Sequence, residues 1–150
     1  MKKNKILIVD DNKLNRQSLA DIFRKAYQIV ESVDGKKALE YLKKDKGLSV
    51  AAIILDLIMP VMDGFAFLEE FKKHSEYKYI PSVIATTEDN VENEKRCLEY
   101  GVWDFIPKSF HREIIWFRVM NAIKRSKQHL LEYDSLTGIY NRQMLYQKTR

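Results

Sequence analysis

Cysteine, glycine, proline and long apolar runs are all scarce in these 150 residues. Cys97 is the one cysteine, so no internal disulfide can form, and the chain suits a reducing cytoplasm. The three histidines, His74, His111 and His129, are scattered along the chain, and no His/Cys spacing suitable for a metal exists. The first apolar run, Ile6–Val9, stops after four residues at Asp10. That is too short for a signal peptide or a transmembrane helix, so no membrane association is expected. The chain has five glycines and three prolines; residues 1–107 hold no Gly- or Pro-rich linker, and there is no internal repeat or low-complexity stretch.

What is present is enough for a core: 45% of residues are apolar, including seven Phe, eight Tyr and two Trp. The net charge of +5 is unevenly placed. Residues 1–107 carry 17 Lys and Arg against 18 Asp and Glu, whereas residues 108–150 carry 9 against 3. The basic excess therefore belongs to the C-terminal segment, around Lys124, Arg125 and Lys127, and reads as a solvated helix face. No nucleic-acid partner is expected.

Short apolar runs at Lys5–Val9, Ala51–Leu55, Ser82–Ala85 and Trp103–Ile106, with a weaker one at Gln28–Glu31, predict five strands. They are nearly continuous in apolar residues, as in a parallel sheet covered on both faces. Between them, Leu19, Ile22, Phe23 and Ala26, then Ala38, Leu39 and Leu42, then Phe65, Leu68 and Phe71 fall at helical spacing. Strand and helix alternate five times, which predicts an α/β fold with a doubly wound, five-stranded parallel sheet. Such sheets place ligands at the carboxyl ends of their strands. That edge would gather Asp10 and Asp11 after the first strand, Asp56 after the third, Thr86 and Thr87 after the fourth and Lys108 after the fifth.

Three carboxylates at neighbouring strand ends repel one another, by about 4 kcal/mol for two charges 4 Å apart at an effective dielectric of 20. A hard divalent cation, Mg²⁺, is the simplest reason to assemble them, since it takes carboxylate and phosphate oxygens and keeps several waters. A carboxylate can also act as a nucleophile and form an acyl phosphate. A lysine ammonium at Lys108 and a hydroxyl at Thr86 would then serve phosphoryl oxygens. A phosphatase that works through an aspartyl nucleophile needs a second aspartate two residues on, where this chain has Ile58.

The blocks Ile6-Leu7-Ile8-Val9-Asp10-Asp11, Asp56-Leu57-Ile58-Met59-Pro60-Val61-Met62-Asp63-Gly64, Pro81 to Thr86, and Asp104-Phe105-Ile106-Pro107-Lys108 resemble the signature of response-regulator receiver domains over about residues 4–125. The resemblance implies a flavodoxin-like topology and a two-component signalling role. It implies that Asp56 accepts a phosphoryl group from a sensor histidine kinase. It also implies that Asp10, Asp11, Asp56 and the backbone carbonyl of Ile58 hold Mg²⁺. Thr86 and Lys108 would bind the phosphoryl oxygens, with Phe105 as an aromatic switch turning inward on phosphorylation and Thr87 and Glu88 in supporting places. The chain departs from the family pattern at Ser109, where a proline is usual, at Ala26, where a helix-ending glycine is common, and at Thr87, usually alanine. A cis bond before a non-proline residue costs ~2.5–4 kcal/mol, so Lys108–Ser109 is expected to be trans.

Beyond the sheet, Arg112 to Glu132 reads as one long helix, with Ile115, Val119 and Met120 facing the sheet. Ile123 and Leu130 stand at heptad spacing and suggest a parallel homodimer formed on phosphorylation. Asp134-Ser135-Leu136-Thr137-Gly138-Ile139-Tyr140-Asn141-Arg142 predicts a turn and a new helix start. It resembles the opening D-x-L-T-G-x-x-N-R of GGDEF-type diguanylate cyclase domains. The expected organisation is a receiver at 1–125, a helical linker at 126–133 and the start of a cyclase-like unit at 134–150. No G-G-D/E-E-F follows within these residues, so this segment is not expected to make cyclic di-GMP.

Overall fold

A computed structural model describes residues 3–138. Five strands, β1 (Lys5–Val9), β2 (Gln28–Ser32), β3 (Val50–Leu55), β4 (Ser82–Thr86) and β5 (Asp104–Pro107), form one parallel sheet in the order β2-β1-β3-β4-β5. The helices are α1 (Lys13–Phe23), α2 (Gly35–Asp45), α3 (Gly64–Phe71), α4 (Val91–Glu99) and α5 (Arg112–Gly138). This is the doubly wound, flavodoxin-like fold expected from the alternation of strands and helices. None of the described helices is long and apolar enough to cross a membrane.

Alternating strand residues divide the core in two. Ile6, Ile8, Ile54 and Val83 meet α1 and α5, where Leu19, Phe23, Ile115 and Val119 are buried and the Phe23 and Trp116 rings stack 5.6 Å apart. Leu7, Val9, Ile53 and Leu55 face the other layer, with Leu42 of α2 and Phe65, Phe67, Leu68 and Phe71 of α3. The buried face of α3 is wider than its helical spacing suggested, since Phe67 is fully buried as well. Ala26, by contrast, is exposed, because α1 ends at Phe23. Helix α4 is mostly polar and buries only Cys97; Arg96 also holds it to α3, its guanidinium 3.9 Å from the centre of the Phe65 ring.

Each of the first four helices begins at a side-chain cap: Asn12, Asp34, Asp63 and Asn90 each accept the N–H three residues on. Such a cap contributes typically about 1 kcal/mol. All four helices follow a strand of the parallel sheet and so start at its carboxyl edge, where the caps also set the shape of the loops that carry the acidic residues.

The C-terminal helix differs from expectation in two ways. Ile123 is 5% exposed and belongs to the core against α1 and the sheet, so it is not free to form a heptad seam with Leu130. The backbone also stays helical through Gly138, with no turn at Asp134; no proline or glycine interrupts it before that glycine. Residues 139–150, which include Ile139 to Arg142 of the cyclase-like run, lie outside the described residues. Contact with the sheet layer continues well along α5: Ser126 hydrogen-bonds the Tyr79 carbonyl, Arg125 donates to the Trp103 carbonyl, and the His129 ring packs edge-on to Trp103.

Gly64 is required by close approach. A Cβ there would lie 2.5 Å from the Asp56 carbonyl oxygen and 2.8 Å from the Leu57 Cα, both backbone atoms. Gly64→Ala should therefore destabilise the fold by about 1–3 kcal/mol, the usual range for overpacking. Urea unfolding checks this, and a variant as stable as the wild type would contradict it.

Candidate functional site

The acidic edge is assembled by strand register. Val9 of β1 pairs with Leu55 of β3, so the next residues, Asp10 and Asp56, emerge side by side. The Asp56 N–H still donates to the Val9 carbonyl, at 2.9 Å. The two strands meet where the sheet order reverses, which is the place for a ligand site in an open α/β sheet. Carboxylate oxygens of Asp10, Asp11 and Asp56 all lie within 4.8 Å of one another, close enough to share one cation. Their all-oxygen chemistry suits a hard divalent ion rather than a soft one.

Thr86 and Lys108 come from the next pair of strands. Thr86 pairs with Pro107, and the Lys108 N–H donates to the Thr86 carbonyl at 2.9 Å. This directs the Lys108 side chain back across the edge. Its Nζ lies 2.6 Å from Asp10 Oδ2 and 3.4 Å from Asp56 Oδ2. Lys108 thus compensates two of the three acids. Thr86 is fully buried; its hydroxyl accepts the Glu88 N–H at 3.0 Å and favours the charged form of the Asp56 carboxyl beside it.

Asp56 is 9% exposed, and its Oδ1 accepts the Leu57 N–H at 2.8 Å. Burial pushes its carboxyl above the ordinary carboxylate value, and the negative charge of Asp10 adds to this. Lys108 and the hydrogen bonds from Thr86 and Leu57 oppose the rise without cancelling it. A carboxylate held in this way is poorly solvated, so its charged form gains from positive charge brought beside it.

The loop from β3 to α3 is bent sharply. Val61 has a φ of +67°, and the Met62 N–H closes a three-residue turn on the Pro60 carbonyl at 2.7 Å. That conformation is rare for a β-branched residue. The bend leaves Ile58 and Val61 exposed beside the acids and brings the Met62 carbonyl to the Gly35 N–H at the start of α2.

Residues 6–119 match the family model described as the response regulator receiver domain. The chain belongs to that family. Among curated relatives, the two-component response regulator ORR3 of Oryza sativa subsp. indica is 39% identical over 104 residues, spanning 69% of this chain and 78% of that one. Among solved structures, the chemotaxis protein CheY4 of Vibrio cholerae superimposes with a TM-score of 0.68 at 30% identity, covering 83% of this chain and 98% of that one. The Mn²⁺-bound form of response regulator Rcp1 superimposes with a TM-score of 0.67 at 25% identity, covering 79% and 90%. A receiver domain is a phospho-acceptor rather than a catalyst, and domains of this kind receive phosphoryl groups from histidine kinases.

Within this receiver domain, Asp10, Asp11, Asp56, Thr86 and Lys108 are brought together as expected. Thr87 and Glu88 are exposed at the mouth of the β4–α4 loop, and the Lys108–Ser109 peptide is trans. Phe105 differs from expectation: it is 6% exposed and packed in the core beside α3 and α4, not turned outward. A phenyl ring has no hydroxyl to hydrogen-bond at the surface, and burying it is worth about 1.5–3 kcal/mol. One residue escaped sequence reasoning. Arg16 of α1 donates through Nη1 to the Asp10 carbonyl at 2.8 Å and through Nε to Glu31 of β2 at 2.8 Å. Nothing in the spacing of Arg16 and Glu31 along the chain signals that contact.

Because folding raises the Asp56 pKa, the folded state holds that proton more tightly than the unfolded chain does. The resulting stability is present below the ordinary carboxylate value and is lost as pH rises through the folded value. Asp56→Asn should therefore melt at a higher temperature than the wild type at pH 7 without divalent ions. The advantage should shrink as pH falls through the raised Asp56 value towards the usual ~3.9. Melting curves from pH 7 to pH 4 check this; an Asp56→Asn variant less stable at pH 7 would contradict it.

Proposed function

We propose that Asp56 accepts a phosphoryl group from the phosphohistidine of a sensor kinase, beside a Mg²⁺ held by Asp10, Asp11, Asp56 and the Ile58 carbonyl. The observation that carries this reading is the convergence of three carboxylates within 4.8 Å, with Lys108 and Thr86 both directed at Asp56. That the related Rcp1 is known in a Mn²⁺-bound form supports a divalent ion as the partner of these acids.

In the transfer, a lone pair on an Asp56 carboxylate oxygen forms the new O–P bond. The P–N bond to the donor imidazole breaks, and its electron pair leaves with the nitrogen. Phosphoryl transfer asks mainly for positioning and charge stabilisation. The Leu57 N–H fixes the Asp56 carboxylate, Lys108 offers a compact charge to the phosphoryl oxygens, and the Thr86 hydroxyl donates to another. Mg²⁺, when bound, neutralises the acids and the phosphoryl oxygens together.

The acyl phosphate adds roughly −1.5 to −2 charge next to Thr86 and Lys108. Thr86 is bonded to the Glu88 N–H and is one strand away from Phe105, so this change reaches the start of α4 and the surface of β5. The Asp134–Arg142 run supports a GGDEF-type output and cyclic di-GMP signalling. Self-association on phosphorylation would use the exposed Leu130 and Leu131 of α5, since Ile123 is in the core.

Treatment with acetyl phosphate and Mg²⁺ should add one phosphoryl group, read by intact mass. Asp56→Asn should remove the added mass and Asp11→Ala should weaken its Mg²⁺ dependence, and the phosphorylated sample should sediment as a dimer. Labelling of Asp56→Asn at the wild-type level would overturn the acceptor assignment. A phosphorylated sample that stays monomeric would overturn self-association alone.

A further inference from the structure

The contacts of Arg16 are more specific than packing a helix on a sheet requires. Its side chain is 12% exposed and its guanidinium is engaged at two places on different elements. Nη1 donates to the carbonyl of Asp10, the residue that leaves β1, and Nε pairs with Glu31 of β2, the strand next to β1. The backbone N–H of Arg16 donates to the Asn12 carbonyl, at 3.0 Å. Between these points the loop holds itself: Asp10 Oδ1 accepts the Asn12 N–H at 2.9 Å, and Asn12 Oδ1 accepts the Asn15 N–H at 2.9 Å. The main chain that presents Asp10 and Asp11 is therefore clamped from β2 through one planar, forked side chain.

We propose that Arg16, braced by Glu31, is a positioning residue that sets the Asp10–Asp11 backbone so that both carboxylates face the cation shared with Asp56. The proposal rests on reading those three acids as the Mg²⁺ set. A guanidinium suits the task because its donors are fixed in a plane and can serve a carbonyl and a carboxylate at once, whereas a lysine ammonium offers a point charge without that geometry. Partners that orient ligands without touching the metal commonly change its affinity by 10- to 100-fold when removed.

Two effects of deleting Arg16 have opposite signs. Removing a positive charge near a dication site favours the dication by Coulomb's law. Releasing the loop disfavours it, because two ligands must be ordered again at each binding event. The proposal states that the second effect wins.

Calorimetric titration of MgCl₂ into the unphosphorylated protein separates them. Arg16→Ala should bind Mg²⁺ about tenfold more weakly than the wild type. Arg16→Lys should recover only part of that loss, and Glu31→Gln, which leaves the Asp10 contact in place, should lose less. In labelling by acetyl phosphate, the Mg²⁺ concentration for half-maximal rate should rise by the same factor as the dissociation constant. Arg16→Ala binding Mg²⁺ as tightly as the wild type, or more tightly, overturns the inference. If Arg16→Ala does not fold, Glu31→Gln with undiminished affinity overturns it. A wild type that binds no Mg²⁺ overturns the metal reading and this one with it, while a wild type that binds and loses binding in Asp11→Ala upholds the metal reading whatever Arg16 does.

Discussion

Three carboxylates forced together by strand register are the constraint on which the rest of the site depends. Val9 pairs with Leu55, so Asp10 and Asp56 cannot leave the sheet apart, and Asp11 follows at once. Their repulsion has to be answered within a few ångströms. Lys108 answers part of it from β5, with its ammonium 2.6 Å from Asp10 and 3.4 Å from Asp56. The Leu57 N–H and the Thr86 hydroxyl answer another part. Burial above all, with the charge of Asp10 adding to it, still holds the Asp56 carboxyl above its ordinary value, so its charged form is not fully stabilised. A fold that keeps such a deficit gains the ability to respond when a cation or a phosphoryl group alters the balance.

Local contacts fix the shape of the loops around the acids. Asn12, Asp34 and Asp63 cap the helices that leave this edge, and Gly64 brings α3 against the Asp56 and Leu57 backbone. The unusual φ at Val61 lies within the same loop, and the Met62 carbonyl beside it ties to α2. Strain of this kind persists only where the surrounding contacts hold it. On the other side of the site fewer apolar contacts hold α4, which is polar, buries a single cysteine and meets α3 through Arg96 over Phe65.

The strands and the acid set could be read in the sequence because their signals are local. Uninterrupted apolar runs such as Ile6–Val9 and Ala51–Leu55 each end at an aspartate, and strand ends converge in this topology whatever the loops do. Features that depend on where one element meets another were not legible. Ile123 and Leu130 are seven residues apart in either case; only the packing of α5 on the sheet decides that Ile123 is inside. The Asp134–Gly138 segment has turn-forming residues, yet the helix preceding it runs on through them. The Arg16–Glu31 pair joins α1 to β2 across fifteen positions with no periodicity to reveal it. The resemblance singled out Phe105 as an aromatic switch, but its rotamer is set by the packing of the core around it.

The central claim is that the acid set lacks positive charge, that Mg²⁺ supplies it, and that the filled site then takes the negative phosphoryl group on Asp56. Thermal unfolding of the wild type in chelator, in MgCl₂, and in MgCl₂ with beryllofluoride tests it directly. The account predicts a rise in melting temperature at the first addition, equivalent to about 2.7 kcal/mol at a hundredfold excess over the dissociation constant, and a further rise at the second. A melting temperature that stays the same in all three conditions would contradict it.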